Sequence, residues 1–260
     1  MVAIRLKTAE EIERMRRAGR LVHDVLERLG ELVAPGVSTL AVDREAERLT
    51  LDAGARCLFK GVPGRYGAGP FPGAACVSIN EQVVHGIPSE RQIRDGDIVS
   101  IDFGVELDGW CGDAADTFLV GDVPPEIRRL VGVTKNSLAI VGQMARAGEK
   151  WSTVARAMQE YIEGEGFSVV REFVGHGIGR EMHEEPKVPN FVSPELEARD
   201  IVLQKGMVLA VEPMVNLGSP NVELAPDRWT VVTRDRKPSA HYEHSLAITK
   251  DGVDVLTNGR

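Results

Sequence analysis

Ile12, Met15, Gly19, Val22, Leu26, Leu29 and Val33 recur at the three- and four-residue spacing of an amphipathic helix, and Val42, Ala46, Leu49 and Ala53 carry a second such face. Gly36 and Gly54 follow the two segments as stop signals. The layout returns later, with Ile127, Leu130, Thr134, Leu138, Val141 and Ala145 before Gly148, and Val154, Met158 and Tyr161 before Gly166. Gly36 to Gly148 and Gly54 to Gly166 both span 112 positions, a common register that suggests an internal duplication. Between and after the helical pairs the pattern turns to strands, at residues 76–79, 98–107 and 110–120 in the first half and at 169–174, 207–215, 230–233 and 243–249 in the second. The only break between halves, residues 121–125, is too short for a linker. An α+β fold in one composite domain over residues 1–260 is expected, with halves at about 8–122 and 123–250.

The strands at 98–107 and 110–120 are joined by Asp108-Gly109, the dipeptide that a two-residue hairpin turn favours because both positions take positive φ. That turn pairs Leu107 with Trp110, Val105 with Gly112, Gly104 with Asp113 and Phe103 with Ala114. Asp102 and Asp113 then share a face as diagonal neighbours, with Cβ atoms about 7 Å apart or less. Two carboxylates so placed repel or take up a proton unless a cation lies between them, and Gly104 leaves room for one. The alternative is a pair of aspartates facing solvent on an edge hairpin.

Four further residues have the same two-sided reading. His176 stands in an expected glycine loop, Gly175-His176-Gly177-Ile178-Gly179, at the end of the apolar run 169–174, with His183 following. Neutral imidazole is a common metal ligand, but both could be ordinary surface histidines. Glu212 and Glu243 each interrupt an apolar strand, where a carboxylate is costly unless paired or bound to a metal; a strand end at Pro213 or an internal ion pair would also account for them. Two Asp, two Glu and one His form a set of hard oxygens with one nitrogen, suited to two ions of the Mn, Fe(II), Co or Zn kind about 3.5 Å apart.

Composition narrows the surroundings. Of 260 residues, 39 are acidic and 31 basic, a net charge of −8 without a basic cluster, which excludes a nucleic-acid footprint. Cys57, Cys76 and Cys111 have no C-x-x-C spacing and form an odd set, so a cytoplasmic, reducing location is expected; no run suits a membrane span. His183-Glu184-Glu185-Pro186 lacks the second histidine of a mononuclear zinc protease helix, and the glycines near His176 fall short of a dinucleotide fingerprint.

Ser78-Ile79-Asn80, Val84-His85-Gly86-Ile87-Pro88, Asp95-Gly96-Asp97, Gly175-His176-Gly177-Ile178-Gly179, His183-Glu184-Glu185-Pro186, Val211-Glu212-Pro213-Met214 and Tyr242-Glu243-His244 occur in this order. In these motifs, across essentially its whole length, the chain resembles the type I methionine aminopeptidases. The resemblance implies the pita-bread fold, two pseudo-symmetric halves of antiparallel sheet and helices around one dinuclear site. It implies that Asp102 binds one divalent ion, His176 and Glu212 the other, and that Asp113 and Glu243 bridge both. It also implies that His85 contacts the substrate near the scissile amide, that His183 stabilises the oxyanion, and that Glu212 moves a proton during hydrolysis without a covalent intermediate.

The implied activity is removal of the initiator methionine from nascent polypeptides when the second residue is small, at the ribosome exit, by a monomer that binds neither nucleic acid nor membrane. Gly104 departs from the threonine of many relatives, and residues 61–73 form a longer, Gly/Pro-rich segment where the family has a compact aromatic loop. Cys76, Met182 and Trp229 are the expected walls of the methionine pocket, with Phe71 and Tyr66 as replacements from that segment. A proline-directed peptidase of the same fold and a metal-free binding scaffold are the competing expectations.

Overall fold

A computed structural model describes residues 4–64 and 67–260; Tyr66 lies outside them. Helix α1 (Ala9–Leu32) starts at a reciprocal cap, in which the Thr8 hydroxyl accepts the Glu11 N–H and the Glu11 carboxylate accepts the Thr8 N–H. Ser38 caps α2 (Thr39–Asp52) through the Ala41 N–H. α3 (Pro125–Met144) begins on a proline, whose missing N–H costs nothing in a first turn, and α4 (Trp151–Gly164) follows. Both ends of α4 lie 112 positions after those of α2, since 39 and 52 become 151 and 164. The bridges Ser38 to Gln92 and Lys150 to Val202 keep the same interval at their first members.

Among the described residues, a nine-stranded antiparallel sheet forms the centre. Its main path runs Arg56–Cys57, Ile98–Leu107, Trp110–Leu119, Glu243–Ile248, Val208–Val211, Gly175–Gly177 and Glu184–Val188; Cys76–Ile79 pairs with Ile98–Leu107, and Val253–Val255 with Glu243–Ile248. The strands Trp110–Leu119 and Glu243–Ile248 join the two halves. Alternation sorts side chains to the two faces. Ile101, Phe103, Val105 and Ala114 pack under α1 and α2 with Val22, Leu29 and Val42, while Leu209, Val211, Leu246 and Ile248 pack under α3 and α4 with Leu130, Val154 and Met158. Phe103 is fully buried, so truncating it to alanine is expected to cost about 3–5 kcal/mol. The helices thus take one face of the sheet and leave the other free for chemistry. No helix of the described residues is long and apolar enough to cross a membrane.

The structure departs from three strand expectations. Residues 169–174 are not one strand: Ser168–Val169 pairs with Met214–Asn216, and the chain then crosses irregularly to the central sheet. The apolar side chains of that run serve different surroundings, Val170 in a small cluster with Val84 and Met214, Phe173 and Val174 around a cavity. Gly175–Gly177, expected as a loop, is itself a strand. Its glycines let it fit, since a Cβ at Gly175 would lie 2.2 Å from the Ala210 carbonyl oxygen and one at Gly177 2.2 Å from that of Glu185. The run 207–215 divides at Glu212-Pro213, where the chain leaves the central sheet for a three-stranded sheet of Ser168–Val169, Met214–Asn216 and Ser239–His241.

Candidate metal centre

Asp108 and Gly109 both have positive φ, 53° and 76°, and the hairpin register that follows pairs Gly104 with Asp113 and Phe103 with Ala114, as the turn chemistry requires. Asp102 faces Ala115, and Ala115 in turn faces Glu243 on the next strand. Asp113 lies two residues before Ala115, hence on the same side of the sheet. On the far side of Glu243–Ile248, His176 pairs with Ala210, and Glu212 follows two residues later, just beyond its strand. One face of adjoining strands therefore collects all five proposed ligands. Asp113, His176 and Glu243 present ligand atoms within 4.8 Å of one another, and His176 Nε2 lies 3.7 Å from Glu212 Oε1.

The electrostatics are those of an anion cluster. Burial pushes the Asp102 carboxyl up to about 7. Burial and then the neighbouring Asp102 raise Asp113 well above the usual carboxylate range; Glu212 rises through burial, Asp102 and Asp113, and Glu243 through burial, Asp113, Glu212 and Asp102. Asp102 Oδ1, Asp113 Oδ1 and Glu243 Oε1 are buried and accept no hydrogen bond among the described residues. Buried carboxylate oxygens left in this state fit a divalent cation, which would satisfy their charge and lone pairs together. His176 fits too. Burial and the adjacent His183 hold it near 4, so it is neutral, and its Nδ1 lies 3.0 Å from the Gly177 carbonyl oxygen. An Nδ1–H donated there leaves the Nε2 lone pair facing the cluster.

Neighbours hold the set in place. The Ser245 hydroxyl donates to the Asp113 carbonyl oxygen at 2.8 Å and accepts the Asp113 N–H at 3.2 Å. Asn190 Nδ2 donates to the Glu212 carbonyl oxygen at 3.0 Å, bracing the segment between two sheets.

A cavity of about 540 Å³, the size of a small-ligand site, opens on the cluster and is lined by the other candidate site residues among those described: His85, His183, Cys76, Met182, Trp229 and Phe71. His183 stacks edge-on to His176 at 4.4 Å between ring centroids. His85 sits at φ 59°, a conformation a non-glycine residue adopts at a cost, with its ring 5.5 Å from Phe173 and 6.4 Å from Trp229. The sequence reading missed Phe59 and Phe173 in the lining, and His241 beside it. His241 is buried with Nε2 3.9 Å from Glu212 Oε2, and burial lowers it to about 3. Its signal was a polar residue next to Tyr242-Glu243-His244, overshadowed by that motif.

Known proteins resemble the chain in sequence and in structure. Residues 13–250 match the model of metallopeptidase family M24. Methionine aminopeptidase 1 of Bacillus subtilis is 47% identical over 251 residues, covering 96% of this chain and 98% of that protein. The crystal structure of methionine aminopeptidase from Thermotoga maritima superposes with a TM-score of 0.91 at 40% identity, over 98% of this chain and 99% of that one. A Xaa-Pro dipeptidase from Bacillus anthracis shares the fold at a TM-score of 0.73 and 24% identity, and the match spans 62% of that longer chain.

Proposed function

The chain belongs to metallopeptidase family M24, and from that premise we propose that it removes the N-terminal methionine from polypeptides whose second residue is small. It is a hydrolase with a divalent metal cofactor. The observation that carries the reading is the convergence of Asp102, Asp113, His176, Glu212 and Glu243 on one face, beside an apolar cavity, in a chain that spans nearly the full length of methionine aminopeptidase relatives.

We assign the site to two divalent ions, which Asp102, Asp113, His176, Glu212 and Glu243 would hold between them. When bound, such ions supply an acidified water and polarise a carbonyl. The chain's own residues supply the rest. Cys76, Met182, Phe71 and Trp229 surround the methionine side chain, and His85 holds the scissile amide. His183 donates a hydrogen bond to the oxygen of the attacked carbonyl as charge develops there, a contact worth most in the transition state. The Glu212 carboxylate takes a proton from the water and returns it to the departing amine nitrogen. The product is free methionine and a shortened chain, with no covalent intermediate.

Co, Mn, Fe(II) and Zn all suit these ligands. Nascent chains at the ribosome exit, a cytoplasmic location, a monomeric state and a single catalytic domain over residues 1–260 complete the proposal. The test is methionine release from Met-Gly-x and Met-Pro-x peptides, compared with x-Pro substrates, with and without chelator. Chelator-sensitive release of methionine supports the reading; cleavage confined to x-Pro bonds would replace it with a proline-directed peptidase.

A further inference from the structure

Between the strands Gly175–Gly177 and Glu184–Val188 runs a short turn that carries Met182 and His183 into the cavity. The Glu184 carboxylate closes that turn. Its Oε1 accepts the Arg180 N–H at 2.9 Å and the Glu181 N–H at 3.3 Å, and its Oε2 accepts Lys7 Nζ at 2.7 Å. Lys7 comes from the segment ahead of α1, at the other end of the chain, and its side chain is 1% exposed against 15% for Glu184. The Lys7 backbone is held as well, its N–H donating to the Gly206 carbonyl oxygen at 2.7 Å. Gly179 makes the space for the pair, since a Cβ there would lie 2.4 Å from Glu184 Oε1 and 2.7 Å from Lys7 Cε. Burial would raise the Glu184 carboxyl, yet the Lys7 ammonium and the two amides hold it below its ordinary value.

A buried lysine with one carboxylate partner is a poor device for stability alone, because desolvation cancels much of the attraction and an apolar pair of similar volume serves as well. What the ion pair adds is direction. One oxygen gathers two amides of the turn and the other is fixed by an ammonium anchored to a different element. The residue directly before Glu184 is His183, whose ring must meet a carbonyl oxygen to within a few tenths of an ångström.

Resting on the reading that this site releases methionine with His183 at the attacked carbonyl, we propose that Lys7 and Glu184 are a positioning pair for catalysis, setting the turn that aims His183. The N-terminal segment is thereby part of the catalytic apparatus.

The experiment measures kcat and KM for methionine release from a Met-Gly peptide by the full chain carrying Lys7→Met, Lys7→Arg or Glu184→Gln, each made both alone and with His183→Ala. Metal content and Tm are recorded for every variant. Alone, Lys7→Met and Glu184→Gln are expected to lower kcat by about tenfold or more with KM and metal content little changed, and Lys7→Arg to recover most of the loss. In the His183→Ala background the same changes are expected to have no further effect on kcat. An equal kcat loss in both backgrounds, or a fall in Tm with kcat unchanged, would overturn the proposal and leave the pair a structural staple. Should Lys7→Met not fold, Glu184→Asp, which keeps the charge and shortens its reach, applies the same two-background criterion. Absence of methionine release by the unmodified chain is a separate result, sinking the functional reading and not the pair alone.

Discussion

Asp102 and Glu243, from opposite halves of the chain, both stand directly across from Ala115, one on each neighbouring strand. The second strand of the hairpin, Trp110–Leu119, is therefore the seam at which the halves contribute to one site. Ala115 lies on the ligand face and is 3% exposed, so its small side chain is what separates the two carboxylates.

Enlarging that residue is expected to empty the site without disturbing the helix-covered face. Ala115→Leu should lose bound metal and methionine release together while helical circular dichroism is kept. Metal per chain after dialysis, measured by elemental analysis, is the check; a full complement in the variant would mean that Ala115 does not border the ions.

Gly104 faces Asp113 across the same hairpin, and a Cβ at Gly104 would lie 2.9 Å from Asp113 Oδ1 and 3.2 Å from Leu58 Cδ1. Gly104→Ala is thus expected to push the Asp113 carboxylate aside and weaken metal affinity. Titration of the metal-free protein with Mn or Co should give a higher Kd for the variant, and an unchanged Kd would show that the carboxylate yields at no cost.

Chelation should abolish activity, with recovery on adding Mn, Co or Fe(II), and should also make stability depend on pH in a definite direction. Asp102 titrates near 7 against an ordinary 3.8, and Asp113, Glu212 and Glu243 are raised by burial and mutual repulsion. Acids raised in the folded state contribute stability below their ordinary values and lose it as pH climbs through the raised ones. His176 and His241, lowered to about 4 and about 3 from 6.5, act the other way, but only below 6.5. The Tm of the chelated protein should therefore fall as pH climbs from 6.5 through the raised Asp102 value of about 7, and added Mn should remove most of that slope. A flat profile for the chelated protein would argue against a buried, repelling cluster.

Much of this site was legible beforehand because local chemistry specified it. Asp108-Gly109 admits one kind of turn, that turn sets the register, and the register sets Asp102 and Asp113 side by side. The four long helices α1 to α4 were equally readable from their periodicity, down to the interval of 112 between α2 and α4. What escaped notice depends on distant partners. Gly175–Gly177 reads as a loop by composition and becomes a strand only because the carbonyls of Ala210 and Glu185 approach it closely. The break at Glu212-Pro213 arises because its two flanking strands belong to different sheets. No local pattern announces that His241 will end 3.9 Å from Glu212, or that Lys7 will meet Glu184.

Glu212 is argued to move a proton, so Glu212→Gln should lower kcat by about a hundredfold or more while KM changes little. His183→Ala should act in the same sense through the carbonyl oxygen. His23, against Gly259 near the chain end and outside the cavity, gives a control whose replacement by alanine leaves both constants unchanged. An unaltered kcat in Glu212→Gln would remove that residue from catalysis.

Specificity follows from how the walls are tied down. Trp229 Nε1 donates to the Gly69 carbonyl oxygen at 3.0 Å, and its ring meets Phe71 edge-on at 5.1 Å. Phe71 is itself pinned, its N–H to the Val62 carbonyl oxygen and its carbonyl oxygen to the Gly61 N–H. These bonds anchor the aromatic wall, while Cys76 and Met182 add polarisable surface suited to an unbranched thioether. Methionine should therefore be preferred in the first position, norleucine accepted next, and leucine less well, because branching at the γ carbon spends width that an unbranched chain does not need. The second residue must pass His85, whose ring is hemmed by Phe173 and Trp229, so glycine, alanine and serine should be accepted and lysine and phenylalanine refused. The check is kcat/KM over peptides varied at both positions. If an N-terminal residue other than methionine leaves faster, above all before proline, the aromatic wall does not select the side chain, and the proline-directed reading takes precedence.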